Sequence, residues 1–202
     1  MGTQRTSSEQ RRADILAAAL HEIRARGLAN TTIADIRRRS GASTGSIYHH
    51  FGDREGVLAA LYMSCLEECF AEMETAVFAH TDTRQGIEAL VHAYLTWVET
   101  HPDKATFIYD ASQGQLLRSH LDLITGFKAE LYAGIYRWMA PRVAAGDLIA
   151  LPPWAYDAIM MGPAHEFARR WLGGLRDMPL ETAKTIIAAA VWRAIRAAPD
   201  DK

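Results

Sequence analysis

Residues 31–54 read TTIADIRRRSGASTGSIYHHFGDR, and this stretch decides what kind of protein the chain is. Its local signals describe a helix, a tight turn and a second helix. Thr32 is placed to cap the first helix, and Asp35 three residues on makes a near-match to a capping box. Ile33, Ile36 and Ser40 then fall on one side at about 100° per residue, with Arg38 projecting away from it. Ser40-Gly41-Ala42-Ser43 breaks that helix: Gly41 can take a positive φ, and Ser43 can cap the second helix. That helix, about Thr44 to Phe51, buries Ile47 and Phe51 at i and i+4. Gly45, Ser46 and His49 then face outward, with Tyr48 and His50 on the flanks. A short helix with a small, polar outer face suits the floor of a major groove. There the backbone must come close, and side chains must meet base edges. The spacing predicts a helix-turn-helix.

From about Arg11 to Leu61 the chain resembles the TetR family of transcriptional regulators, without a gap. The residues that carry the resemblance begin with a first helix from Ile15-Leu16 to Gly27 and the Thr31-Thr32 step. The short helix from Ile33 to Ser40, the turn Gly41-Ala42-Ser43 and the segment Gly45-Ser46-Ile47-Tyr48 come next, then Phe51, and Arg54 just ahead of a long fourth helix. Two positions depart from the family pattern. Ala42 stands where a larger aliphatic is usual, and Gly52 where a basic residue able to meet phosphate is common.

The resemblance implies that Thr32, Thr44, Ser46, Tyr48, His49 and Arg54 meet phosphate or base edges of a double-stranded DNA operator. Ser43 and Gly45 complete that surface, and Arg38 joins it by its place on the helix before the turn. Plainer readings stand beside these: Thr32 as a cap alone, Tyr48 as packing against the first helix, Arg37-Arg38-Arg39 as a solvated face. The resemblance further implies a small-molecule effector site among helices four to eight and a homodimer formed through the last two helices. A two-fold dimer sets its recognition helices about 34 Å or more apart and calls for a palindromic operator.

Composition agrees with an ordinary soluble globular chain: 202 residues, 49% hydrophobic, 23% charged. No apolar run approaches the roughly 18 residues of a membrane span, and the N-terminus lacks the apolar core of a signal peptide. Two cysteines cannot build a disulfide framework and favour a cytosolic setting, so the expectation is a cytoplasmic protein with no membrane partner. The net charge of −2 is unevenly spread: residues 1–60 carry +3 and the other 142 carry −5. A mildly basic head suits phosphate, though such a modest asymmetry also occurs in proteins that never meet DNA.

Along the chain, residues 1–10 read as a loose polar arm, and Ser7 with Gln10 matches a capping box for a helix lasting to about Arg26. Asp53 caps a fourth helix to about His80, and helix five spans about Arg84 to Thr100, ended by His101-Pro102. Beyond it lie a short helix from Asp103 to Ala111, a turn at Ser112-Gln113-Gly114 and a long helix from about Leu116 to Val143. The last two helices are about Trp154 to Leu172 and Leu180 to Ala197. With no sustained period-two run and no Asn-Gly hairpin, the expectation is all-α, with about nine helices. A helix-turn-helix DNA-binding head covers 1–54, and an effector-binding and dimerisation body covers 55–202.

Several motifs invite other chemistry. Gly41-Ala42-Ser43-Thr44-Gly45 matches the hydrolase nucleophile elbow, but that elbow needs a buried strand before it, and Ile36-Arg37-Arg38-Arg39-Ser40 is too charged for one. His21-Glu22 and His165-Glu166 begin a zinc-protease motif, yet Ala25 and Arg169 occupy the second histidine's position. Cys65 and Cys69, one helical turn apart, are a soft-metal or redox pair on one reading and two small core residues on the other. No catalytic constellation, cofactor loop or metal ligand set emerges.

The body is rich in aromatic and methionine side chains, which suit a largely apolar effector cavity. Trp97, Phe107, Tyr109, Phe127, Trp138, Met161 and His165 are its candidate contacts; each is also an ordinary core residue by type. A stripe of Ala158, Ile159, Gly162 and Ala168, with Ile186, Ile187, Ala190, Val191 and Ala194, permits close helix packing between protomers. The chain reads as a ligand-responsive transcriptional regulator, a repressor by family habit. The alternatives are a helical small-molecule-binding or interaction protein without DNA binding, and an all-α enzyme.

Overall fold

The computed structural model describes residues 2–113 and 120–197, with side chains from 7 to 112 and from 120 to 197. Helix α1 (Gly2–Arg26) buries Ile15, Leu16, Ala18, Ala19 and Ile23 at the three-to-four-residue spacing of an amphipathic helix. It starts earlier than the local signals suggest. Residues 7–10 are helical rather than a loose arm, and the Gln10 side chain donates forward to Asp14 (2.9 Å) instead of reaching back to a cap. Nothing between Thr3 and Ile15 is a helix breaker, so the helix extends through the polar segment.

A 3-10 turn (Leu28–Asn30) leads to α2 (Ile33–Ser40), α3 (Thr44–Phe51) and the long α4 (Arg54–Phe78). Then come α5 (Thr83–Thr100), α6 (Pro102–Gln113), α7 (Leu121–Ala144), α8 (Pro153–Tyr156), a π turn (Asp157–Met161), α9 (Gly162–Leu172) and α10 (Leu180–Ile195). Since α8, the π turn and α9 form one unbroken helical run, the described residues hold nine helices and no strand; the fold is all-α. An antiparallel bridge, Leu148 with Arg196, ties the loop after α7 to the end of α10.

Three boundaries differ from the sequence reading. Ser112 and Gln113 belong to α6 rather than to a turn, while Gly114 and the expected helix start at Leu116 lie outside the described residues. The run from Pro153 to Leu172 contains the π turn because Pro163 has no N–H to give the ladder; the Gly162 N–H instead donates to the Asp157 carbonyl five residues back. Helix α10 stops at Ile195, where Arg196 turns extended and the Ile195 carbonyl accepts from Ile149 N–H at 2.9 Å.

The chain divides into two compact units, the described residues of Met1–Leu66 with Asp103–Phe127, and those of Glu67–Pro102 with Lys128–Lys202. Helix α4 begins in the first and ends in the second. In the second, α5 packs along α10 and buries Ile87, Leu90, Val91, Leu95 and Val98. Lys184 of α10 is 4% exposed, held by Glu99 of α5 (3.0 Å) and Glu181 (2.5 Å). Burial works against its charge, but the two carboxylates more than offset this and raise its pKa. The exposed Ile186 and Ala194 remain on the outer face of α10 with the half-buried Ala190. By contrast Ile187, Val191 and, on α9, Ala168 turn inward, which narrows the expected packing stripe.

Trp138 of α7 supplies a wedge in this unit. Its indole N–H donates to the His80 carbonyl (3.2 Å), the Arg142 guanidinium lies 3.4 Å over its ring, and Gly86 of α5 passes so close that a Cβ there would sit 2.1 Å from the ring. Gly86→Ala is therefore expected to lower the unfolding free energy by about 1–3 kcal/mol. In a thermal melt followed by circular dichroism this is a fall of about 2–4 °C per kcal/mol. An unchanged melting temperature would mean that the indole moves aside freely.

Candidate nucleic-acid interface

The surface that carries α3 is built on two carboxylates. Glu22 lies on the buried side of α1, only 5% exposed. It accepts from Arg26 one turn on (2.8 Å) and from Arg39 of α2. These two arginines, Arg39 first, hold its pKa below the ordinary value. A buried carboxylate without such partners is costly, so the pair with Arg39 fixes α2 against α1. Asp35 plays the matching part within α2. Thr32 caps the helix by accepting from the Asp35 N–H (3.2 Å), while the Asp35 carboxylate accepts from the Thr32 N–H (3.1 Å) and hydroxyl (2.6 Å). The near-match to a capping box is thus a complete one. Arg38 pairs with the other carboxylate oxygen. The Thr32 hydrogen bonds, with Arg38 and Arg26 adding to them, bring the Asp35 pKa down to about 2.

The turn agrees closely with the sequence reading. Gly41 closes α2 in the left-handed region (φ 66°, ψ 6°), a conformation disfavoured for residues with a Cβ, and Ala42 is buried at 5% exposure. Ser43 caps α3, its Oγ accepting from the Ser46 N–H at 3.1 Å. Ile47 is fully buried and anchors the helix, whereas Thr44, Gly45, Tyr48 and His49 are exposed and Ser46 is half-buried. Phe51 is half-buried with the Arg12 guanidinium 5.6 Å from its ring centre. Gly52 ends α3 at φ 79°, which explains why no basic side chain stands there.

Arg54 sits differently from the other expected contacts. Its Nε donates to the Thr31 carbonyl (2.7 Å) and its Nη2 to the Leu28 carbonyl (2.5 Å), and the side chain is 22% exposed. Of the nine expected DNA contacts, then, Ser43, Thr44, Gly45, Ser46, Tyr48 and His49 lie together on α3 and its cap. Thr32 and Arg38 lie on α2, and Arg54 turns toward the α1–α2 connection. Sequence reasoning misses Glu22 as a structural centre, although an acid on an apolar stripe, with Arg26 four residues on, is a usable signal.

The motifs suggesting other chemistry take ordinary places. The Gly41–Gly45 segment comes after helix α2, not a strand, and Ser43 is engaged as a cap. Glu166 accepts from Arg169 (2.9 Å) and Arg170 (2.6 Å), which lower its pKa to about 2. Cys65 and Cys69 are both buried, as small apolar residues are. Among the described residues no three His, Cys, Asp or Glu side chains are grouped to hold a metal, and no helix is long and apolar enough to cross a membrane.

The seven candidate effector contacts are divided between the units: Phe107, Tyr109 and Phe127 in the first, Trp97, Trp138, Met161 and His165 in the second. Trp138 is occupied by the wedge described above. Trp97 donates to Glu68 (3.2 Å) and stacks on His101. His165 meets the Tyr94 ring edge-on at 4.9 Å, and burial lowers its pKa, against the opposing charge of Asp157. An open groove of about 660 Å³ lies between α4 and α5, lined by Glu68, Glu72, Ala76, Ala89, His92 and Thr96 among others. None of the seven lines it.

The geometry defines an all-α helix-turn-helix protein. Residues 15–61 match the family model described as bacterial regulatory proteins, tetR family. The chain is 37% identical over 86 residues to the HTH-type transcriptional regulator BetI of Burkholderia ambifaria, a match spanning 42% of this chain and 44% of that protein. It is similar in fold to a TetR family transcription regulator from Marinobacter aquaeolei VT8, with a TM-score of 0.74 and 17% identity over 96% of this chain and 99% of that one. The fatty acid degradation regulator FadR from Bacillus halodurans shares the fold too, with a TM-score of 0.73 and 16% identity over 89% and 97% of the two chains. Residues 15–61 thus carry the helix-turn-helix segment of the tetR family of bacterial regulatory proteins, and the chain spans less than half the length of the curated relatives it matches.

A carboxylate with a folded pKa below its unfolded value stabilises the fold above the unfolded value, and that contribution fades as pH falls through the folded value. The Asp35 contribution is therefore complete above the ordinary value of 3.8 and disappears toward about 2. In urea unfolding, the stability gap between wild type and Asp35→Asn is expected to be wide at about pH 6 and to narrow toward about pH 2.5. A gap that stays constant would show that the Asp35 charge does no work in the cap.

Proposed function

We propose that this protein is a ligand-responsive, DNA-binding transcriptional regulator. It acts as a cytoplasmic homodimer, a repressor that a small molecule releases from a palindromic operator. The observation that carries the reading is the outer face of α3. Thr44, Gly45, Tyr48 and His49 stand exposed side by side on a helix anchored through Ile47. Gly45 keeps the backbone low enough for close approach, and the hydroxyls, ring and imidazole offer donors, acceptors and apolar surface to base edges. Arg38 and the first turn of α3 flank it as phosphate partners, with Thr32 beside them. The match of residues 15–61 to the family model, and the similarity of 86 residues of this chain to a helix-turn-helix transcriptional regulator, support the reading.

The proposed division of labour gives residues 1–54 to DNA and 55–202 to the effector and the dimer. A largely apolar effector would meet Trp97, Met161 and His165 in the body. The exposed Ile159 and Ile186, at 38% and 52%, are the surface proposed to meet a second copy. Effector binding would favour a body conformation in which α4 carries the two heads out of register with successive major grooves. Only the effector's differential affinity for the two states can drive this.

Selection of duplexes from a random pool by the purified chain at low ionic strength tests the function. A palindrome is expected, with log affinity falling linearly against log salt. Tyr48→Ala should cost about 1–3 kcal/mol of operator binding, with the dimer intact by sedimentation. Ile186→Glu should shift the dimer toward monomer. A chain that retains no duplex, at any ionic strength, is an interaction protein rather than a DNA-binding regulator.

A further inference from the structure

We propose that Arg54 is a positioning residue. Its guanidinium fastens the first turn of α4 to the connection between α1 and α2 and sets where α2, and hence α3, begins; it does not neutralise a phosphate. The inference rests on the DNA-binding reading above and gives this side chain a different task within it. The guanidinium faces inward. Nε and Nη2 donate to the carbonyls of Thr31 and Leu28, residues 23 and 26 positions earlier in the chain, and Nη1 lies 3.5 Å from Glu55 Oε1. Its side chain is 22% exposed, against 62% for Arg38 and 42% for Arg39 on the neighbouring helix.

The connection needs such a partner. After α1 the backbone leaves the helical ladder, and Thr31 is extended (φ −79°, ψ 126°) and 1% exposed. An extended, buried carbonyl must find a donor outside its own helix. Within the connection, the Thr31 hydroxyl and the Asn30 N–H both serve the Gly27 carbonyl, at 3.0 and 3.3 Å. For the carbonyls of Leu28 and Thr31, the Arg54 fork is the donor. Thr32, the next residue, is the cap of α2, so the fork acts one peptide away from the point that sets that helix's start. A planar guanidinium spans two carbonyls at once, which a single ammonium on a flexible stem does not.

The test compares the full-length wild type with Arg54→Gln and Arg54→Lys. Each is titrated, over a salt series, with the duplex that the wild type selects, and amide hydrogen exchange is followed over residues 28–36. A positioning role predicts that both variants lose about ten- to hundredfold in affinity with salt slopes parallel to wild type. It also predicts that exchange over residues 28–36 quickens in the free protein. A phosphate contact predicts instead that Arg54→Lys binds like wild type and that Arg54→Gln flattens the slope by about 0.9. Either of these results, or unchanged exchange, overturns the proposal. Should Arg54→Gln fail to fold, Arg54→Lys decides by the same two readouts. If the wild type selects no duplex, the DNA-binding reading fails, and exchange alone decides whether the fork holds the connection.

Discussion

A buried carboxylate must be paired, and Glu22 obeys that rule in a way that shapes the head. It sits on the inner side of α1 between apolar neighbours, and its partners are Arg26 on the same helix and Arg39 on the next. Removing Arg39 would leave one carboxylate oxygen of a buried charge without its ion-pair partner, so the α1–α2 angle is held by more than apolar contact. Asp35 continues the pattern one layer out through the Thr32 cap and Arg38. The arginine run Arg37-Arg38-Arg39 thus divides its duties. Arg38 and Arg39 reach acidic partners within the head, and Arg37 stands exposed in the last turn of α2. The basic character of the head is therefore partly consumed in building it.

The features readable in the sequence are those that local chemistry decides. Thr32 with Asp35, Gly41 at positive φ, Ser43 as the second cap and Ile47 as the anchor are each decided within four residues, and each stands as expected. The features that escape depend on partners far along the chain. Arg39 meets Glu22 across 17 residues, and Arg54 reaches back to Leu28 and Thr31; no periodicity announces such pairs. By sequence Glu22 is only half of a failed zinc motif, although its place on the apolar stripe is a signal. Gly86 is another. A glycine in the first turn of α5 is a poorer helix former than alanine, by up to about 1 kcal/mol, and the Trp138 ring explains it. Trp138, a candidate effector contact by residue type, is also the wedge that this glycine admits.

The second unit shows how little residue type says about a ligand site. Aromatic side chains there are engaged one by one: Trp97 with His101 and Glu68, Tyr132 with Asp157 at 2.9 Å, Tyr156 with the Ile149 carbonyl. Such engagement fits a core with polar handles as well as a binding cavity, so the proposed effector site rests on His165, Met161 and their surroundings rather than on aromatic content. The family model ends at residue 61, where helix α4 has just begun, and the chain matches its BetI relative over less than half of that protein's length.

Backbone amide shifts of the labelled protein, recorded as the selected duplex is added, probe the account at its centre. The largest changes should cluster at Ser43 to His49, with smaller ones at Thr32 and Arg38 and none in the buried stripe of α1. Changes confined to residues outside 31–54, or absent altogether while the duplex is bound, would contradict the claim that α3 is the face offered to DNA.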